Sequence, residues 1–341
     1  MKSAILISPG VLEISTKAIE PVPGPGEVVV KIKAALTCGT DLKAYLRGHP
    51  KIPMPSPLGH EYSGDIYKVG DGVEGFPVGT PVMGVHSAPC GECFYCARGL
   101  DNLCGRVMED KVLGAYSEYI KLPANVVKRN LFVKPERLSY EEAAMLEPLS
   151  CVVHGLRLVR RLDYKNVLIL GSGPVGLLHL MLNKAAGKKV IVAGRKPNRL
   201  KMAKELGADL IVDATLDGMA WSVMEATDGL GADLVIEATG NKDVWENAPK
   251  LVRKGGSVLL FGGCPPDTKV CFDASRLHYD EITLIGAFHF SPSDVKDAYD
   301  MLAEGRIDVK RLISGSYPLA QLKTAFESLI AGHGIKYSII P

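Results

Sequence analysis

Four cysteines fall within the stretch CGECFYCARGLDNLC, at Cys90, Cys93, Cys96 and Cys104. A C-x2-C-x2-C repeat with a fourth cysteine close behind suits a tetrahedral thiolate cage around one zinc ion. Four thiolates fill every coordination position, whereas a catalytic zinc keeps one open for water or substrate. This metal is expected to hold a loop, and the reacting centre must lie elsewhere. The plainer reading, four unligated thiols on a loop, is the weaker one because such spacing seldom arises otherwise.

A second donor set is spread along the chain. Cys38 lies in TCGTD, and His60 and Glu61 lie in GHEYSG. A thiolate, an imidazole and a carboxylate suit zinc. Taken alone the set is only suggestive, since a single Cys in a β-rich domain is more often core and a single His more often a hydrogen-bonded structural residue. Cys151, Cys264 and Cys271 have no such partners and read as small buried apolar residues.

The third candidate is LILGSGPVG, where Gly171, Gly173 and Gly176 have the G-x-G-x-x-G spacing directly after an expected strand and directly before an expected helix, with Pro174 and Val175 among the expected cofactor contacts. The first glycine makes the tight turn, the second admits a pyrophosphate, and the third lets helix pack on strand. The free N–H groups of the helix then face the phosphates. At the end of the next strand, where Asp or Glu would hold a free ribose 2′-hydroxyl, stands Gly194, followed by Arg195, Lys196 and Arg199. Loss of the acid and gain of positive charge predict NADP in preference to NAD, with Asp213 as a possible counterweight. Ala238, Thr239 and Gly240, with Gly262 and Gly263, complete the expected cofactor contacts.

These sites need a scaffold. The 341 residues are enough for two domains with their own cores. Balancing 40 Lys+Arg against 38 Asp+Glu leaves a net charge of +2, and Arg98 is the one basic residue between Cys90 and Cys104. That argues against nucleic acid, against reading the cysteine lobe as a zinc finger, and against an anionic membrane as partner. The N-terminal apolar run is too short for a secretory segment, and the apolar stretch from Val167 to Met181 is interrupted by glycine, proline and histidine. A cytoplasmic enzyme is the expectation.

Short β-type runs broken by Pro and Gly clusters dominate to about Asn130. From Asn166 the chain alternates strand, glycine turn and helix, the pattern of a doubly wound parallel sheet. Two amphipathic helices follow, with Ser291 or Ser293 as N-caps and Gly305 and Gly332 as stops. The expected architecture is α/β: a β-rich domain over 1–148, an inserted dinucleotide-binding domain over 149–286, and a return over 287–341.

On CGTD, GHEYSG, the four-Cys lobe, EPLSCVVHG and GSGPVG, in that order, the chain resembles the zinc-dependent medium-chain alcohol dehydrogenases, and more narrowly their polyol and threonine dehydrogenase branch. The resemblance implies a GroES-like catalytic domain and an inserted Rossmann domain. It implies a catalytic zinc on Cys38, His60 and Glu147, with Glu61 able to approach the metal, and a purely structural zinc in the cysteine lobe, two ions per chain in all. It further implies that Thr40 takes the alcohol proton into a relay, whose outer end departs from many relatives because Lys43 replaces a histidine; water, Lys43 and His49 are the alternatives. Asp41 reads as the partner that orients His60.

The implied reaction is hydride transfer between a nicotinamide cofactor, NADP or NAD, and a small secondary alcohol, polyol or ketone, in a homo-oligomer, tetramer or dimer, that extends its sheet through EITLIGAF. Tyr45, Arg47, His49, Phe288 and His289 are candidates for lining the pocket. The rival reading, a nucleotide-binding sensor or structural protein of the same fold without turnover, does not need an open metal site.

Overall fold

The computed structural model describes residues 1–215 and 218–341. The chain divides into two compact units, Met1–Val153 with His289–Pro341, and His154–Phe288.

The first unit is built on a mixed sheet with the path Ile313–Pro318, Lys336–Ile340, Val28–Leu36, Tyr62–Val69, Pro81–Gly84 and Leu131–Val133, with Tyr119–Leu122 also pairing to Val28–Leu36. Val28–Leu36 is buried along most of its length, as a β-branched central strand should be. Its antiparallel register places Ala35 opposite Tyr62, which brings the segments just beyond, Cys38 and His60, together. The C-terminal strand joins the same centre, with Ser338 opposite Leu36. A smaller sheet of Val11–Ser15, Ser3–Ser8 and Ser56–Pro57 covers part of the core. Ser291 caps the helix Pro292–Ala303 in a capping box with Asp294, and Gly332 stops the helix Leu322–Ala331.

The second unit is a six-stranded parallel sheet in the order Leu210–Asp213, Lys189–Gly194, Asn166–Leu170, Ala232–Glu237, Val252–Leu260 and Thr283–Gly286. Counted along the unit this is 3-2-1-4-5-6, the Rossmann order. Asn166–Leu170 is apolar and buried almost throughout, because helices cover both faces of a parallel sheet. Thr283–Gly286 forms one edge. No helix among the described residues is long and apolar enough to cross a membrane.

His179, on the helix Pro174–Ala185, is fully buried against the edge of Phe261, and neither ring nitrogen has a hydrogen-bond partner among the described residues. Burial pushes its pKa down to about 3. As pH falls below the ordinary value of about 6.5, the unfolded chain takes up a proton that the folded chain refuses. Stability is therefore complete above that value and falls by about 1.4 kcal/mol per pH unit down toward 3. His179→Leu is expected to add about 1–2 kcal/mol at pH 7 by removing the unsatisfied group, and about 2 kcal/mol more at pH 5. Urea unfolding at the two pH values checks this; an equal gain at both would refute the assignment.

Candidate active site and cofactor site

The four cysteines of the lobe converge. Cys93 and Cys96 sulfurs are 3.5 Å apart, Cys90 and Cys104 3.5 Å, and Cys90 and Cys96 3.9 Å. A disulfide requires about 2.05 Å, whereas zinc–sulfur bonds of about 2.3 Å in a tetrahedron separate sulfurs by about 3.8 Å. The cage has the dimensions of a closed zinc site. The backbone amide of Cys96 and its neighbours pull the Cys93 thiol down to about 6, while burial pushes Cys96 up to about 12. Four thiolates together therefore need a cation among them.

The second set also assembles. Cys38 caps the helix Gly39–Arg47, its sulfur accepting the Thr40 amide at 3.4 Å. His60 and Glu61 immediately precede the strand Tyr62–Val69. One donor atom from each of Cys38, His60 and Glu61 lies within 4.8 Å of the others. Asp41, fully buried, contacts His60 Nδ1 at 3.0 Å through Oδ1, and Tyr116 donates to its Oδ2 at 2.8 Å. That leaves His60 Nε2 for a metal, the arrangement of a carboxylate–histidine pair. Burial pulls His60 toward the neutral form, but Asp41 and then Cys38 outweigh it and hold the pKa well above its ordinary value. Burial raises both the Cys38 thiol and the Glu61 carboxyl. A divalent cation would stabilise the ionised forms that burial opposes.

Glu147, in the first turn of the helix Leu146–Val159, is not one of the three convergent donors. Its Oε1 lies 3.4 Å from His86 Nδ1 and accepts from the Cys151 thiol at 3.8 Å, and burial raises it to about 7. Cys151 is thus a polar neighbour of the site rather than plain core filling. Cys271 is exposed and Cys264 half-buried, so neither is a core residue; both lie in a short segment outside helix and strand. Tyr45 is buried against Phe326 in the core, where the hydrophobic face of its helix puts it, while Arg47 is exposed.

Two residues of this centre escape the motifs. His86, 6 % exposed, sits with its ring 5.0 Å from that of His60 and 5.3 Å from that of His289; burial, then His60 and His289, hold it well below its ordinary pKa. His289, at φ +61, places Nε2 2.6 Å from Ser87 Oγ. Lys336, 1 % exposed, donates to Glu61 Oε1 at 2.8 Å and to the Thr37 carbonyl at 2.9 Å, and approaches Glu61 Oε2 at 2.6 Å without hydrogen-bond alignment. The one signal for His86 is its place four residues before the cysteine lobe; no motif marks Lys336.

In the second unit the glycine turn has the expected form. Gly171 has φ +118, and a Cβ on Gly176 would overlap the Gly171 carbonyl oxygen, so helix and turn pack at backbone distance. A Cβ on Gly173 would meet nothing within 4 Å, leaving open space over the N-terminus of Pro174–Ala185. Gly194 ends its strand in register with Asp213. A Cβ there would overlap Ser172 Oγ and stand 2.9 Å from Ser172 Cβ, so Ser172 fills the place an acid would need. Arg195 is exposed beyond it, with Lys196 capping the helix Pro197–Glu205 that carries Arg199. Asp213 is occupied by its own turn, accepting from Thr215 N at 2.9 Å and Oγ1 at 2.6 Å.

Two family models match: the alcohol dehydrogenase GroES-like domain over residues 24–131, and the zinc-binding dehydrogenase over 174–304. The chain is 32% identical to a sorbitol dehydrogenase of Halalkalibacterium halodurans across 94% of each chain. It is 34% identical to a D-arabitol-phosphate dehydrogenase of Enterococcus avium, across 92% of this chain and 89% of that one. A Sinorhizobium meliloti protein described as a zinc-binding dehydrogenase, solved bound to NADP, superposes with a TM-score of 0.89 at 30% identity, covering 100% and 99% of the two chains. The chain belongs to the zinc-dependent medium-chain alcohol dehydrogenases. It is an oxidoreductase that works with zinc and a nicotinamide cofactor.

Proposed function

We propose that this enzyme interconverts a small secondary alcohol or polyol and its ketone, preferring NADP, with two zinc ions per chain. The carrying observation is the convergence of Cys38, His60 and Glu61 around a point that Asp41 and Lys336 serve from outside. Cys38, His60 and Glu61 would hold the catalytic zinc, with Glu147 beside His86 as the further carboxylate; Cys90, Cys93, Cys96 and Cys104 would hold the structural one. The catalytic zinc supplies Lewis-acid polarisation, making alcohol oxidation and ketone reduction the two directions of one path. Asp41 keeps His60 in one tautomer and orientation, and Tyr116 keeps Asp41 in place. Thr40, the second residue of the helix that Cys38 caps, is assigned the substrate hydroxyl proton. The sugar-alcohol names of two relatives favour a polyol.

Gly171, Gly173, Pro174, Val175 and Gly176 would receive the pyrophosphate, and Ala238, Thr239, Gly240, Gly262 and Gly263 the other half of the cofactor. Arg195 would pair with the 2′-phosphate, supported by Lys196 and Arg199. The edge strand Thr283–Gly286 supports a homo-oligomer, a tetramer in our reading, and the reduced thiolate lobe suits the cytoplasm.

The test compares kcat/KM for NADP and NAD across a panel of alcohols, polyols and hydroxy-amino acids. NADP is expected to lead by about tenfold, from one or more charge-assisted hydrogen bonds. Arg195→Ala should remove most of that lead, and an NAD preference in the wild type would defeat the reading. A Gly194→Asp exchange is unsuitable, because it would collide with Ser172 whichever cofactor binds. Metal analysis should find two zinc ions per chain; a fully active preparation with one would contradict the double site.

A further inference from the structure

Glu237 ends the strand Ala232–Glu237 and pairs in register with Leu170, the residue before the glycine turn. It therefore stands where the strand order reverses, the crevice in which an open α/β sheet binds its ligand. It is fully buried, yet among the described residues its carboxylate has no cationic partner. Its Oε1 accepts the Thr239 amide at 2.8 Å and the Gly240 amide at 3.1 Å, and the Thr239 hydroxyl also donates to it. Every one of these partners is a donor, as an ionised carboxylate needs.

The same residue ties two loops together. Its backbone carbonyl accepts the amides of Phe261 at 3.0 Å and Gly262 at 2.8 Å, and Trp245 Nε1 donates to the Gly262 carbonyl at 2.8 Å. A Cβ on Gly240 would overlap the Gly263 carbonyl oxygen, and one on Gly262 would stand 2.7 Å from Glu237 Oε2. The two loops are thus pressed together over a buried carboxyl group, while Gly263 faces open space. Glycine turn and helix N-terminus belong to the first mononucleotide half of the fold, and Glu237 with its loops to the second, which takes the other nucleotide.

We propose that Glu237 is a positioning residue of the dinucleotide site whose buried charge biases binding toward the oxidised, cationic nicotinamide. This rests on the dinucleotide reading given above. Oxidised nicotinamide carries one more positive charge than the dihydro form, so a carboxylate without a cationic partner at the switch point would discriminate between them in a low-dielectric surround. A residue that only anchored the loops would weaken both forms alike.

The experiment measures dissociation constants of NADP+ and NADPH, and of NAD+ and NADH, for the full-length enzyme. Glu237→Gln should weaken the oxidised form relative to the reduced one by about fivefold, raising the potential of the bound couple by about 20 mV. Glu237→Asp, which keeps the charge, should return the ratio toward the wild-type value. Should Glu237→Gln fail to fold, Thr239→Val removes one donor and leaves the charge less offset, so the ratio should move toward the oxidised form. An unchanged ratio in whichever variant folds overturns the proposal alone. A wild-type enzyme that binds neither form sinks the dinucleotide reading and the proposal with it.

Discussion

His60→Ala is expected to reduce turnover by about a thousandfold or more while leaving the fold intact, since the metal it would hold contributes several kcal/mol of charge stabilisation in the reaction. His60 lies at the junction before Tyr62–Val69, outside the paired register of that strand. Its loss removes one of three convergent donors and leaves Asp41 facing space, but Tyr116 still satisfies Asp41 Oδ2. Metal content should fall from two zinc ions to about one, because the cysteine cage shares no residue with this centre. Thermal unfolding should shift far less than activity. A His60→Ala enzyme with wild-type rates, or one with undiminished zinc, would show that the reacting centre is elsewhere.

In the zinc-free enzyme, Lys336→Met should destabilise by about 3–5 kcal/mol, because it strands a buried carboxylate. Lys336 and Glu61 are 275 residues apart in sequence and almost wholly shielded from water. Burial alone would discharge the lysine, yet Glu61, and after it Cys38, raise its pKa. Pairing the change with Glu61→Gln should recover most of the loss, since two neutral side chains of similar size carry no such penalty. Denaturant unfolding of the two single variants and the double variant measures the coupling. Additive losses would mean that the pair is incidental. Chelator-driven zinc release offers an independent reading: with the ammonium gone, Glu61 is free to bind the metal more firmly, so release from Lys336→Met should be slower.

Much of the second unit can be read without coordinates. Alternating apolar strands and glycine turns from Asn166 onward impose a parallel sheet, and G-x-G-x-x-G marks its ligand-facing turn, because each feature depends on residues within a few positions of one another. The cysteine lobe is legible for the same reason: four donors within fifteen residues can close on one ion whatever surrounds them. Asp41 as the partner of His60 is also within reach, since Cys38 and the helix it caps place the carboxylate one turn away.

Other features belong to the tertiary structure alone. That Ser172 fills the space beside Gly194 depends on how closely two neighbouring strands bring their turns. That Cys151 borders the site, and that Glu147 faces His86 instead of joining Cys38, His60 and Glu61, depends on the angle at which one helix enters. The sequence by itself determined the class of chemistry, because metal cages and phosphate turns are short-range patterns of residue type. Only the folded chain decided which charges meet: Lys336 reaches Glu61, and Glu237 has no counter-ion among the described residues, because sheet register between distant segments and exclusion of water are properties no local spacing encodes.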